Sequence, residues 1–261
     1  MKTLYVIKIG GETLDENSSL QACISACIGS KKNILLVHGG GKKVTELSSR
    51  LGIEQKMIEG RRITPPETLD ICTMVYAGLI NKKIVALFSK FGAKAIGLCG
   101  ADAQSIISER RKHPHIDYGE VGEVKNIDSS FFVSIIDKKL IPVVCSISMN
   151  GEGDLLNTNA DTMACEIAQS LSHDYRVHLI YCFEKNGVLR DVMDENSTIE
   201  VIFSKDFEEM KSTRQIAGGM IPKLDNAFAA VSSPVEEVRI VHSGELSKVF
   251  MGKKTGTEIV I

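Results

Sequence analysis

An excess of charge of one sign is missing from this chain. Thirty-one Lys and Arg face 33 Asp and Glu, a formal net charge of -2, and neither sign forms a long run. Binding a polyphosphate backbone or an anionic lipid surface calls for a basic patch, so the composition argues against nucleic-acid and membrane-surface partners. No apolar stretch is read as approaching the roughly 20 residues that span a bilayer. A strand-like run begins by Leu4, leaving no room for a signal or transit peptide. Internal repeats and low-complexity linkers are lacking too, so a lobe boundary has to fall inside the regular pattern, most naturally near "SHDYR" at 172–176. The expectation is a soluble, cytoplasmic protein that binds neither nucleic acid nor membrane.

Paired cysteines are also lacking. The seven, at positions 23, 27, 72, 99, 145, 165 and 182, are odd in number, scattered and mostly set among apolar residues, which suits reduced core thiols. Cys23 and Cys27 could share a helix face as half a metal site, but no second Cys or His pair answers them. Buried packing is the expectation, with no structural metal.

What is present is a βα rhythm. "TLYVIKI", "NILLVH", "KAIGL", "LIPVVCSI", "RVHLIYCF", "VRIVH" and "TEIVI" read as strands separated by helical patterns. Several are apolar at nearly every position, as parallel strands covered on both faces are. With 43% apolar residues the chain can bury a large core, so a doubly wound α/β sheet follows. The longest helix is expected to begin with Thr64 as N-cap, because "TPPE" places prolines where no amide donor is needed and Glu67 at the reciprocal capping position. It should end near Gly92, and its broad apolar surface suits either a subunit contact or a fully covered core helix. "ERRKHPHIDYGE" reads as a loop or irregular hairpin arm, with His113 and His115 in solvent.

Five constellations could carry chemistry. In "VHGGGKKVT", Gly39, Gly40 and Gly41 follow a strand and precede a helix, so backbone amides and the helix dipole could meet an anion. A tight strand-to-helix turn is the alternative, and the segment matches neither the P-loop nor the dinucleotide fingerprint. "VIKIGGETL" ends the first strand similarly with Gly10 and Gly11, and sets Lys8 inside an otherwise apolar strand, where an ammonium needs an anion. Two such turns at adjacent strand ends would form one cradle. In "LLNTNADTMACEIAQSL", Asn159 suits the N-cap, while Asn157 could bind a polar substrate and Asp161 could hold a lysine or help position a metal. In "IAGGMIPKLDNAF", Gly218 and Gly219 precede a helix whose first turn carries Lys223, where a cation opposes the dipole; an anion bridging it and the glycine amides would give a reason, and a solvated surface lysine is the alternative. Last, "IEGRRITPPE" brings Gly60, Arg61 and Arg62 to the start of the long helix, and an arginine suits bidentate capture of a carboxylate.

These motifs in this order, with "VGEV", "IPVV" and a C-terminal "GTEI" between and after them, resemble the amino acid kinase family, specifically its acetylglutamate kinase branch, over nearly the whole chain. The resemblance implies a three-layer αβα sandwich with a mainly parallel central sheet. Its N-terminal lobe, residues 1–173, would hold an N-acylated glutamate, and its C-terminal lobe, 174–261, ATP with Mg2+. The product would be an acylglutamyl 5-phosphate, in arginine and ornithine biosynthesis. By carry-over, Lys8 and Lys223 would neutralise the transferring phosphoryl group and Asp161 would orient them. Gly11, Gly40 and Gly41 would donate amides, and Arg62 and Asn157 would hold the acylated amino acid. The nucleotide would meet Lys8, Gly10, Gly11, Glu184, Gly219, Met220 and Lys223.

A carboxylate nucleophile needs no general base, so His38 is expected to be a packed strand-end residue. One departure concerns "YCFEKNGVL", where the family usually has "DVxGV": Glu184 stands for the Asp and is one methylene longer. The alternatives are a kinase for N-succinylglutamate or another small carboxylate or carbamate, and a nucleotide or amino-acid sensor without turnover, against which both lysines argue. Arginine-inhibited members carry an additional N-terminal helix that links dimers into a hexamer. With the first strand beginning by Leu4, no such helix is expected here, and the expected assembly is a homodimer indifferent to arginine.

Overall fold

Strands that are apolar at every position must be covered on both faces, and the pleat then divides their side chains between two cores. In β1 (Lys2–Ile9) Leu4 and Val6 enter one buried cluster while Tyr5, Ile7 and Ile9 enter the other, and in β2 (Asn33–His38) Leu35 and Val37 oppose Ile34 and Leu36. The computed structural model describes residues 1–261 apart from 59, 192, 214, 215 and 217–219, and for residue 12 the backbone alone.

Between and after these strands run α1 (Glu12–Asp15), α2 (Asn17–Gly29), α3 (Gly41–Arg50), a small β3–β4 hairpin (Met57–Ile58, Arg61–Arg62), and α4 (Pro66–Thr73), which continues through a π-helical stretch, Met74–Ile80, into α5 (Asn81–Lys90). Next come β5 (Ala95–Leu98), β6 (Ile106–Arg110), β7 (Gly122–Ile127), α6 (Ser129–Asp137), β8 (Ile141–Cys145), β9 (Ile147–Met149), β10 (Leu155–Asn157) and α7 (Ala160–Leu171). The last part holds β11 (Tyr175–Phe183), β12 (Val201–Phe203), α8 (Ser204–Ser212), α9 (Met220–Val231), β13 (Glu237–His242), α10 (Leu246–Phe250) and β14 (Thr257–Val260).

Eight strands form one sheet in the order β12-β14-β13-β11-β1-β2-β8-β5, parallel throughout except for β13 against β14. Helices α6 to α9 cover the face of Leu4 and Val6, and α2 to α5 with α10 cover the other, so the molecule is a three-layer α/β sandwich. The chain winds outward from β1 to β2, then returns to lay β11 on the opposite side of β1, pairing Lys2 with Tyr175 through Lys8 with Tyr181. That reversal of strand order opens a crevice at the carboxyl end of β1, where ligands of open α/β sheets gather. Both halves of the chain share the sheet and both cores.

Several expectations need correction. Thr64 is not the cap of the long helix: Pro65 occupies that place without a side-chain bond, and the Thr64 hydroxyl instead donates to Arg62 O at 2.9 Å. Because Pro65 and Pro66 lack amide donors, little remains at this end for a hydroxyl to cap. "LIPVVCSI" splits at Ser146 into β8, in the main sheet, and β9, in a four-stranded sheet with β10, β6 and β7. "TEIVI" runs antiparallel. "ERRKHPHIDYGE" lies in the β6–β7 connection, with its first residues completing β6, and β12 was not foreseen. The helix from Pro66 to Lys90 is long and apolar enough to cross a membrane by length and composition, contrary to the reading that no stretch came near. Here its Ile71, Cys72, Val75, Ile84 and Phe88 pack into the core.

Candidate functional site

The pleat of β1 that buries Leu4 and Val6 sends Lys8 to the same face, beyond the end of the apolar core. Facing it is the first turn of α7, capped by Asn159 Oδ1, which accepts from Asp161 N at 2.8 Å and Thr162 N at 3.1 Å. The cap expected of Asn159 is therefore present, and it fixes the turn that carries Asp161. Lys8 Nζ lies 2.8 Å from Asp161 Oδ1, and Lys223 Nζ, from the first turn of α9, lies 2.9 Å from Oδ2. One carboxylate thus bridges two ammonium groups, and the cation that opposed the α9 dipole has its reason.

All three groups are poorly hydrated, with side-chain exposures of 10%, 11% and 20% for Lys8, Asp161 and Lys223. Burial favours the neutral carboxyl of Asp161, but the two ammonium groups outweigh it and hold its pKa at about 2. For Lys8 the balance goes the other way: desolvation depresses its pKa, Asp161 opposes and Lys223 adds to the depression. The cluster carries one more positive charge than negative in a poorly hydrated place, an arrangement that favours an arriving anion.

The glycine turns close around it. Lys8, Gly10, Gly11, Gly40, Gly41 and Asp161 all line one cavity, together with Arg62 and Asn157. Gly10 leaves little room for a side chain, since a Cβ would sit 2.8 Å from Lys8 Nζ and push that ammonium from its place. Gly40 has even less: φ is +149°, and a Cβ would come within 2.2 Å of Ile80 Cδ1 and 3.2 Å of the Tyr76 ring. Both of those side chains come from the π-helical stretch, a local widening of the helix of the kind that often sits at functional sites. Tyr76 lines the cavity but carries no sequence signature, and it was missed, as were Val121 and Ser146.

Arg62 is buried on the cavity wall, yet much of its guanidinium is already engaged. Nη2 donates to Gly41 O at 2.8 Å and to Thr45 Oγ1 at 3.0 Å, and Nη1 donates to Gln55 Oε1. Asn157 Nδ2 donates to Thr64 Oγ1 at 3.0 Å, which ties β10 to the strand that carries Arg62. Met220 opens α9, packed against the core on its partly buried side. Glu184 is exposed just past the end of β11 and does not line the cavity. Gly218 and Gly219 lie outside the described residues. Cys23 and Cys27 are both buried and free, and among the described residues no group of three or more His, Cys, Asp or Glu is placed to hold a metal.

Residues 3–242 match the model of the amino acid kinase family. The chain is 46% identical to an acetylglutamate kinase of Cytophaga hutchinsonii, with 100% of this chain and 99% of that protein aligned. It is 36% identical to one of Methanopyrus kandleri, over 92% and 95% of the two. Among solved structures it resembles smu.665 of Streptococcus mutans UA159 at a TM-score of 0.83 and 27% identity, covering 98% of each chain. The carbamate kinase of Giardia lamblia bound to AMP-PNP shares the fold at a TM-score of 0.69 and 14% identity, over 99% and 98%.

Proposed function

Because the chain belongs to the amino acid kinase family, we propose that it transfers the γ-phosphoryl group of ATP to the side-chain carboxylate of N-acetyl-L-glutamate, forming N-acetyl-L-glutamyl 5-phosphate. The observation that carries this reading is the Asp161 carboxylate holding Lys8 and Lys223 at 2.8 and 2.9 Å beside two glycine turns. The names of the aligned relatives support the choice of acceptor.

In the transfer, an oxygen of the acceptor carboxylate forms a bond to the γ-phosphorus while the bond to the β,γ-bridging oxygen breaks and ADP departs. The carboxylate is already ionised, so no side chain has to remove a proton, and the task left to the protein is alignment and charge stabilisation. Lys8 and Lys223 approach from β1 and α9, and Asp161 keeps the two like charges together. Amides of Gly11, Gly40 and Gly41 face the phosphoryl oxygens, and Gly10 and Met220 border the nucleotide. Glu184, exposed past the end of β11 and outside the cavity lining, would meet the nucleotide only beyond that lining. Arg62 on the cavity wall and the side-chain amide of Asn157 are left for the acylated amino acid.

Mg2+ accompanies ATP in such transfers and neutralises phosphate charge. The cavity offers it no ligand set, because Asp161 is the carboxylate among the described lining residues and both its oxygens face ammonium groups. A divalent ion would be carried by the phosphates themselves.

The reading extends to a homodimer. Met74 and Leu79 on the outer face of the π-helical stretch are 55% and 46% exposed, and a symmetric pairing would cover them. Seven free cysteines, six of them buried, suit the reducing cytoplasm. An ADP-release assay with MgATP and N-acetylglutamate, N-succinylglutamate, glutamate, aspartate, carbamate and UMP tests the reaction. N-acetylglutamate should give the highest turnover and an acyl phosphate trapped by hydroxylamine. Preference for another acceptor, or no turnover, would overturn the assignment.

A further inference from the structure

His38 ends β2 directly before the glycine turn, is fully buried, and stands behind that turn rather than in the cavity lining. The transfer described above leaves it without a task, but its hydrogen bonds are specific. Its partner is Asn81, also fully buried, the first residue of α5 after the π-helical stretch.

The orientation of the Asn81 amide follows from its neighbours. Oδ1 accepts from Lys82 Nζ at 3.1 Å, and Nδ2 donates to Val143 O at 2.9 Å. The second hydrogen of Nδ2 therefore meets His38 Nε2, 3.1 Å away, and that nitrogen must be the acceptor. The ring proton is left on Nδ1, which lies 2.9 Å from Gly39 O and donates to it. A trans peptide holds a carbonyl and the following N–H antiparallel, so a Gly39 carbonyl drawn toward His38 turns the Gly40 N–H the opposite way, toward the cavity. Arg62 holds a second carbonyl of the same turn two peptides further on, Gly41 O, at 2.8 Å. Gly97 of β5 keeps room for this arrangement, since a Cβ there would fall 1.8 Å from Asn81 Oδ1.

We propose that His38 and Asn81 are positioning residues for phosphoryl transfer: Asn81 fixes the Nδ1–H tautomer of His38, which anchors the Gly39 carbonyl and aims the Gly40 amide at the phosphoryl group. The inference rests on the kinase reading above. Burial, with a smaller contribution from the Lys82 charge, holds the His38 pKa down to about 4, so the imidazole is neutral at neutral pH and serves as a fixed dipole.

The test pairs two variants with one measurement on the unaltered protein. Asparagine can place its Nδ2 near the position of imidazole Nδ1, whereas glutamine reaches only the Nε2 position. His38→Gln should lower kcat about tenfold to a hundredfold, less than outright loss of an anion-binding donor, with both KM values changed by less than about twofold. His38→Asn should recover most of that loss. Thermal unfolding of both variants separates misfolding from misalignment, because a merely structural role would lower the melting temperature and raise both KM values without this split. Independently of any variant, 15N NMR of the unaltered protein at neutral pH should show His38 protonated on Nδ1 and bare on Nε2. An active enzyme with the Nε2–H tautomer, or equal kcat losses in the two variants, would overturn the positioning role alone. A wild-type protein that releases no ADP with any acceptor would overturn the kinase reading and this inference with it.

Discussion

Asp161→Asn removes one charge from a buried triad while keeping nearly the same shape. In the native cluster the carboxylate is held at about 2 against an ordinary 3.8, a difference worth about 2 kcal/mol of stability. Because the folded pKa is depressed, that contribution is complete above about pH 4 and disappears as the pH falls toward 2. The amide cannot counter either ammonium, so Lys8 and Lys223 face one another as like charges with little water. Breaking a buried ion pair in this way costs about 3 to 5 kcal/mol, which for a chain of this size corresponds to a melting temperature lower by roughly 6 to 20 °C.

The same substitution has a kinetic signature. Asp161 is what opposes the desolvation of Lys8, so without it Lys8 loses its proton at lower pH, and the alkaline limb of the kcat profile should move acidward. Turnover itself should fall about a hundredfold or more as the two lysines separate. Ground-state ATP affinity should hold or improve, because the triphosphate then supplies the anion that the carboxylate no longer does. Coupled ADP release across neutral to alkaline pH, together with thermal unfolding with and without ATP, measures all of this. An Asp161→Asn enzyme with native turnover and an unmoved alkaline limb would refute the argument that Asp161 governs the lysine pair.

Lys8→Met should lower turnover by about 3 kcal/mol of transition-state stabilisation while weakening ATP binding far less; near-native turnover in steady-state assays would remove Lys8 from the mechanism. Arg62→Lys keeps the charge but loses the planar fork, along with at least one of the bonds to Gly41 O, Thr45 and Gln55. Its KM for the acylated amino acid should rise with that for ATP spared, and equal changes in both would assign Arg62 to the scaffold. Leu79→Glu places a charge on the proposed dimer face and should yield a monomer by light scattering; an unchanged mass would show that this face is not the contact.

How much of this could be read without coordinates depends on how local each signal is. The parallel sheet announced itself because a strand covered on both faces must be apolar at nearly every position, as β1, β2 and β11 are in their central residues. The Asn159 cap was legible for a similar reason, since capping joins residues two or three apart. Lys8 stood out because an ammonium in such a strand needs an anion, but its neighbours could not say which one. The anion beside it is the carboxylate of Asp161, from α7, and Lys223 shares it from α9, a pairing across separations that no local pattern encodes.

The remaining features depend on packing. Thr64 looked like a cap by spacing and proved to be a link from Asn157 to the backbone of Arg62, because the prolines after it had already removed the donors a cap would serve. Arg62 was legible as an arginine near a cradle, but not as the residue that also holds Gly41 O. The π-helical widening that brings Tyr76 and Ile80 against Gly40 has no periodic signature, since it breaks the helical period rather than expressing it. Local chemistry in the sequence determined the strands, the glycine turns and the candidate charges. Which charge meets which, and which carbonyl each side chain holds, was decided only in three dimensions, because ion pairs and buried hydrogen bonds depend on distances set by the whole packed sheet.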